Sequence, residues 1–188
     1  QMTADACGCI RYDAKAINFG LIYKMGAKTL SGRIDKTEEE AQEYSDKYFE
    51  KYSGIREWQD SLIAKCRRVG YTETIVGRRR PLPHINSKNF GKKNSAERVA
   101  INTAVQGSAA DIMKIGMRNF HKTMRKDGYT SNDFRIIGQV HDEIIVEAKN
   151  DVAECAMSCL QNSMENAVKL TIKLVAEPEI ATTWGEAK

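Results

Sequence analysis

The sequence holds 188 residues, 41% of them hydrophobic and 29% charged, and its 29 Lys and Arg against 25 Asp and Glu leave a formal net charge of +4. This length and balance suit one sizeable core or two small ones and exclude an intrinsically disordered chain. The slight basic excess permits a polyanionic partner without requiring one, and no run approaches the roughly 18 apolar residues of a membrane-spanning helix.

The opening QMTADACGCI lacks the basic stretch and apolar core of a secretory signal, which points to a cytoplasmic setting. A first helix is expected from about Ile10 to Tyr23. At about 100° per residue, Ile10, Ala14, Ile17 and Leu21 make a narrow apolar stripe suited to a core. Arg11, Lys15, Phe19 and Tyr23 advance by only about 40° at each step and form a second band on the other side. Two cations followed by two rings suit a nucleoside triphosphate lying along the helix, with its phosphates on the cations and its sugar and base on the rings. An amphipathic helix whose second face packs on another domain has the same spacing. A short helix near Ala27 to Arg33 follows. In DKTEEEAQEYSDKYFEKYSG, Thr37 and Glu40 are spaced as a capping box and Gly54 is placed to close the helix. The next helix is expected from about Ile55 to Val69, ending at Gly70.

YTETIVGRRRPLP alternates β-formers around Gly77 before two prolines, the pattern of a hairpin or extended ribbon with a basic tip. Arg78, Arg79 and Arg80, with Lys92 and Lys93 beyond, fall on expected loops, either as phosphate contacts or as surface charge. Asn94 to Lys126 is the longest helical stretch. Within it Arg98, Asn102 and Gln106 recur at every fourth place, a polar line that can hydrogen-bond base edges, sugars and phosphates in a groove or simply face solvent. Gly107 and the small residues after it permit close packing of a helix or close approach of a nucleic-acid strand.

After the loop KDGYTSND, FRIIGQVHDEIIVEA contains two β-rich runs meeting at His141 and Asp142. Asp142 and Glu143 then stand at a rigid tip with His141 beside them. Prearranged oxygen ligands suit a hard cation, and Asp is also common in hairpin turns. Gly138 would let a backbone or ligand come close. DVAECAMSCLQNSMENAVK is expected as a last helix and LTIKLVAE as a last strand. The five cysteines have no C-x-x-C spacing and only three histidines to complete a zinc site. They read as reduced thiols, with Cys155 and Cys159 expected as small buried side chains one helical turn apart.

The order of these signals is specific: R-x-x-x-K-x-x-x-F-x-x-x-Y on a helix, a basic G-R-R-R turn, E-R-x-x-I-N-x-x-x-Q-G, then V-H-D-E between strands. Over nearly all of its length the chain resembles family A DNA polymerases, the DNA polymerase I type. The resemblance implies an α+β fold, with C-terminal fingers helices at 1–70 and part of the antiparallel palm sheet of a right-hand polymerase at 71–188. It implies primer-template DNA and dNTP as partners, no membrane, and two Mg2+ ions as cofactors. Arg11 and Lys15 would neutralise the triphosphate, Lys15 would also protonate the departing pyrophosphate, and Phe19 would lie beside the sugar and disfavour dideoxynucleotides. Tyr23 would guard the nascent base pair. Asp142 would bind the metal with Glu143 in support and His141 near the primer end, while Arg98, Asn102 and Gln106 would contact the primer and template minor groove.

Two departures from the family pattern stand out. Lys24 occupies a place where the family usually has Gly, and its long cationic stem would either touch template phosphate or alter template passage. The other metal-bridging carboxylate, carried in the family by a motif A strand, has no counterpart here, nor has the thumb. The chain is therefore expected to polymerise little by itself and to need an N-terminal portion carrying motif A and the thumb, as a separate chain or as the rest of one polypeptide. A single-subunit RNA polymerase fragment shares the palm and the H-D signature; the ring at Phe19 and the acid at Glu143 favour DNA synthesis. A non-catalytic DNA-binding module that kept the fold is the other competing reading.

Overall fold

The computed structural model describes residues 2–187. In chain order the elements are α1 (Met2–Cys7), α2 (Arg11–Ile22), α3 (Ala27–Ile34), α4 (Glu38–Lys51), α5 (Ser53–Val69), β1 (Tyr71–Glu73), β2 (Arg79–Pro81) and α6 (Phe90–Asn102). A π-helical turn (Thr103–Gly107), α7 (Ser108–Lys126), β3 (Phe134–Val140), β4 (Glu143–Ala148) and α8 (Ala153–Glu165) complete the α+β fold. The chain divides into two compact units, Gln1–Gly107 and Ser108–Lys188.

In the first unit, Ile17 and Leu21 of α2 meet Leu30 and Ile34 of α3, Ala41 and Tyr48 of α4, and Cys7 of α1. Ala14, Ile17 and Leu21 are buried as the apolar stripe requires, but Ile10 is 67% exposed. It is the N-cap of α2, with extended backbone, so it leaves the helical rotation that would have carried it to the core. Tyr48 is fully buried and donates its hydroxyl hydrogen to Asn18 Oδ1 at 2.8 Å. Desolvation pushes that hydroxyl up to about 12, so it remains a donor at any physiological pH.

The Thr37–Glu40 capping box opens α4. Its C-cap is Tyr52, which is also the N-cap of α5, so Gly54 lies inside the first turn of α5 rather than closing α4. Gly70 closes α5 in the left-handed region at φ 79°. The antiparallel β1–β2 pair matches Tyr71 with Pro81 and Glu73 with Arg79. Arg79 and Arg80 therefore sit on a strand, and only Arg78 belongs to the turn. A second core joins Cys66 of α5, Leu82, Ile85, and Ala96 and Ala100 of α6. Buried Thr72 donates to the Ala100 carbonyl at 3.2 Å. A Cβ at Gly107 would lie 2.9 Å from Thr74 Cγ2, so the glycine admits the hairpin. α6 begins at Phe90, capped by Asn89 through the Lys92 N–H, and Lys92 and Lys93 are in its first turn rather than on a loop.

In the second unit, Phe120 and Met124 of α7 pack with Phe134 of β3 and with Val152 and Ala156. The Phe120 and Phe134 rings meet edge to face at 5.3 Å and 77°. Gly116 makes room for Met164 where α8 lies against α7. The β3–β4 hairpin pairs Phe134 with Ala148 and Val140 with Glu143, and the register shifts between Ile136 and Gly138. α8 ends at Glu165, earlier than the sequence pattern implies. Cys155 is exposed rather than buried, because the inward seam of α8 runs through Ala156, Ser163 and Met164; all five cysteines are free thiols. Residues 170–177 do not form the expected strand. No second strand pairs with them among the described residues, and Ile172 and Val175 are exposed. They are tied to α8 through Gln161, which donates to the Ala176 carbonyl at 3.0 Å, and Glu165, which accepts from the Ala176 N–H at 3.2 Å.

Since Phe120 is fully buried and edge-packed, Phe120→Ala is expected to lower unfolding free energy by about 3–5 kcal/mol in urea titrations. A change below about 1 kcal/mol would show that this core is not packed as described.

Candidate functional site

One side of α2 is locked and the other is open. Arg11, Lys15 and Phe19 are exposed, Phe19 by 52%, and Tyr23 is half-buried at the C-cap. A single exposed ring is ordinary, and Tyr12 of the same helix is 76% exposed; what sets Phe19 apart is that it stands in line with two cations. The seam opposite is held by Ile17, Leu21 and the Asn18–Tyr48 hydrogen bond.

The end of α2 is held from two sides. Buried Gln59 of α5 donates its amide hydrogens to the carbonyls of Leu21 and Ile22, each at 2.9 Å, satisfying acceptors that a helix terminus would otherwise leave open. Lys24 then turns with φ 57° and sends its Nζ to Glu97 Oε2 at 2.6 Å. Glu97 projects from the inner face of α6, is 3% exposed, and accepts on its other oxygen from Arg67 of α5 at 2.5 Å. Burial works to raise the Glu97 carboxyl, but the bonds donated by Lys24 and Arg67 outweigh it and hold the carboxyl below the usual range. Lys24, expected to reach for template phosphate, is thus engaged within the protein. Glu97 is the acid of the E-R-x-x-I-N run, but spacing assigns it no role, and Gln59 belongs to none of the motifs. The available signal for Glu97 was its place beside Ala96, Ala100 and Ile101 on a buried helical face, where an acid requires cations.

Next to Glu97, the outward face of α6 carries Arg98 and Asn102, and Gln106 lies in the π turn; all three are exposed. The π turn closes its hydrogen bonds over five residues rather than four. That widens the turn, so Gln106 falls back toward the line of Asn102 instead of drifting past it. Arg79 donates to Glu73 Oε1 at 3.0 Å with its guanidinium over the Tyr71 ring, and Arg80 reaches Thr103 Oγ1 at 3.3 Å. Arg78, exposed at the turn, completes the basic arm.

In the second unit, His141 and Asp142 are the two-residue turn between β3 and β4, with His141 at φ 53°. His141, Asp142 and Glu143 are all exposed. Gln139 steadies the turn by donating to the His141 carbonyl at 3.3 Å. Among the described residues no group of three or more His, Cys, Asp or Glu side chains gathers as a metal site. Two adjacent carboxylates on a short hairpin nevertheless fit magnesium as part of a shell, since this ion is commonly held by one or two carboxylates with water and substrate phosphate completing it.

A sequence model of DNA polymerase family A matches residues 3–186. The chain is 41% identical over 179 residues to DNA polymerase I of Streptococcus pneumoniae, covering 95% of this chain and 20% of that protein. It is 41% identical over 183 residues to DNA polymerase I of Pseudomonas aeruginosa, covering 97% of this chain and 20% of that one. Among solved structures, the POL domain of Pol1 from M. smegmatis in complex with DNA primer-template and dNTP superposes with a TM-score of 0.84 at 32% identity, over 92% of this chain and 31% of that chain. The chain thus spans 20% of the length of these curated relatives.

Because folding lowers the Glu97 pKa, its contribution to stability is complete above the ordinary glutamate value of about 4.3 and is lost as pH falls through the lowered one. Glu97→Gln is expected to be less stable at neutral pH by about 1–3 kcal/mol and to converge on the wild type in acid. Melting temperatures followed by circular dichroism across that range test this, and parallel curves would contradict it.

Proposed function

Because the chain belongs to DNA polymerase family A, we propose that it supplies the fingers and part of the palm of an enzyme that adds deoxynucleotides to a primer 3' end under the direction of a template. The observation that carries this reading is the exposed Arg11–Lys15–Phe19 band on a helix whose opposite face is fully packed. Residues 1–70 are assigned to the fingers and 71–188 to the palm part. A cytoplasmic setting goes with this reading; no helix of the described residues is long and apolar enough to cross a membrane.

Arg11 and Lys15 receive the triphosphate, and Lys15 Nζ gives its proton to the pyrophosphate oxygen as it departs. Phe19 packs against the sugar, and Tyr23 closes over the new base pair. Arg98, Asn102 and Gln106 hydrogen-bond the minor groove of the primer-template, with Arg78 and Arg79 on phosphates. Arg79 can do so with the guanidinium hydrogens that Glu73 leaves free. His141 sits near the primer end.

Two Mg2+ ions would supply neutralisation of the phosphate charge and a more acidic primer hydroxyl. Asp142 would hold them for this chain with Glu143 in support. The further carboxylate that would help hold them is assigned to the N-terminal portion carrying motif A, on a separate chain or as the rest of one polypeptide.

Mixed with a polypeptide carrying that carboxylate and the thumb, the chain should support Mg-dependent primer extension with dNTP in preference to rNTP. Asp142→Ala should reduce it by more than about 100-fold and Lys15→Ala by about 100-fold or more. Extension that survives Asp142→Ala would refute the metal assignment. Mg-independent DNA binding with no extension would favour a non-catalytic module, and preference for rNTP would favour an RNA polymerase. Phe19→Tyr should raise dideoxynucleotide incorporation, read as chain termination in the same assay.

A further inference from the structure

We propose that Lys24 and Glu97 act as a positioning pair for the nucleotide face of α2, holding the turn after Tyr23 in a left-handed conformation by an ion pair instead of a glycine. This rests on the function proposed above. The Met25 N–H bonds the Gly20 carbonyl at 2.9 Å and the Lys24 N–H bonds the Leu21 carbonyl at 3.1 Å. These are the two hydrogen bonds of a Schellman C-terminus, whose left-handed residue is usually glycine. Here that residue is Lys24, at φ 57°. A Cβ is disfavoured in this region, so the turn is retained because something holds it.

What holds it is the 2.6 Å bond from Lys24 Nζ to Glu97. The Glu97 carboxylate is buried on the inner face of α6 and its second oxygen is taken by Arg67 of α5. It is a fixed point to which Lys24 must come. Gln59 grips the backbone just before Tyr23, through the carbonyls of Leu21 and Ile22, and Lys24 grips it just after. Tyr23 is therefore suspended between two anchors on the same pair of helices. Glu97 is also the inward neighbour of Arg98, so the pair ties the helix proposed to bind dNTP to the helix proposed to read the primer-template. Movement at one is carried to the other.

The test uses the reconstituted polymerase described above, with steady-state incorporation of dTTP opposite template adenine. Lys24→Met, which keeps the stem and removes the charge, should raise KM for dTTP about tenfold with kcat within about twofold, whereas Lys24→Arg should stay within about twofold of the wild-type KM. Lys24→Gly separates positioning from strain. Glycine adopts the turn freely but leaves Glu97 with Arg67 alone, so this variant should melt below the wild type and above Lys24→Met, and still show the same raised KM. Glu97→Gln added to Lys24→Met should raise KM no further. If the wild type extends primers and KM is unchanged in both Lys24→Met and Lys24→Gly, the inference alone is overturned. If KM merely tracks melting temperature across the variants, the pair is structural and the inference is likewise overturned. A wild type that extends no primer would overturn the proposed function, and this inference with it.

Discussion

A buried carboxylate needs cations, and in the first unit that requirement organises three helices. Glu97 of α6 is nearly inaccessible, and it draws Lys24 from the end of α2 and Arg67 from α5 onto its two oxygens. Losing either cation would leave the acid buried with half its pairing, a larger penalty than losing the acid, whose partners are partly exposed and can return to water. α6 presents the buried charge, and the turn after α2 and the last turns of α5 meet it, while α2 itself is seated in its core with α1, α3 and α4. Gln59 adds a neutral bond of the same kind, closing the carbonyl end of α2 from α5.

This constraint has a chemical consequence because it acts on the inner side of α2. With Ile17 and Leu21 in the core, Asn18 bonded to Tyr48, and the last turn clamped, the helix has little freedom to roll. Its outer side then carries two cations and a ring in one line along the helix, exposed to solvent. Under the proposed function that line receives the triphosphate: folding fixes the helix that carries it, and the exposed Arg11 and Lys15 side chains are ordered on binding. In the second unit, Phe120, Met124 and Phe134 anchor the hairpin that ends in Asp142, and a short turn gives carboxylates the same kind of fixed presentation. Rigid scaffolds carrying polar groups at their margins are what positional catalysis of phosphoryl transfer demands.

The periodic parts of this architecture were legible in the amino-acid sequence. The α2 band, the Thr37–Glu40 capping box, Gly70 as a helix stop and the hairpin meeting at His141 and Asp142 all follow from local rules of spacing and capping. What was not legible depends on partners far along the chain. Nothing local announces that Lys24 will bond Glu97 across 73 positions, or that Gln59 will cap a helix 37 and 38 positions earlier. Ile10 fits the apolar stripe by spacing, but α2 starts one residue later and so leaves it outside the helix. Residues 170–177 have strand composition, but a strand exists only where another backbone pairs with it, and none does here among the described residues. The π turn that carries Gln106 was not legible either, although helical periodicity alone had already put that residue in line with Arg98 and Asn102.

Photo-crosslinking with a photoreactive deoxynucleoside triphosphate, followed by mass-spectrometric mapping of the adducts, tests the central claim most directly: that clamping the inner side of α2 leaves its outer side as the nucleotide seat. The account predicts adducts concentrated on Phe19 and Tyr23, competed away by unlabelled dNTP. Adducts spread over α4, α5 and the β1–β2 arm with none enriched on α2, or adducts on α2 that unlabelled dNTP does not displace, would contradict it.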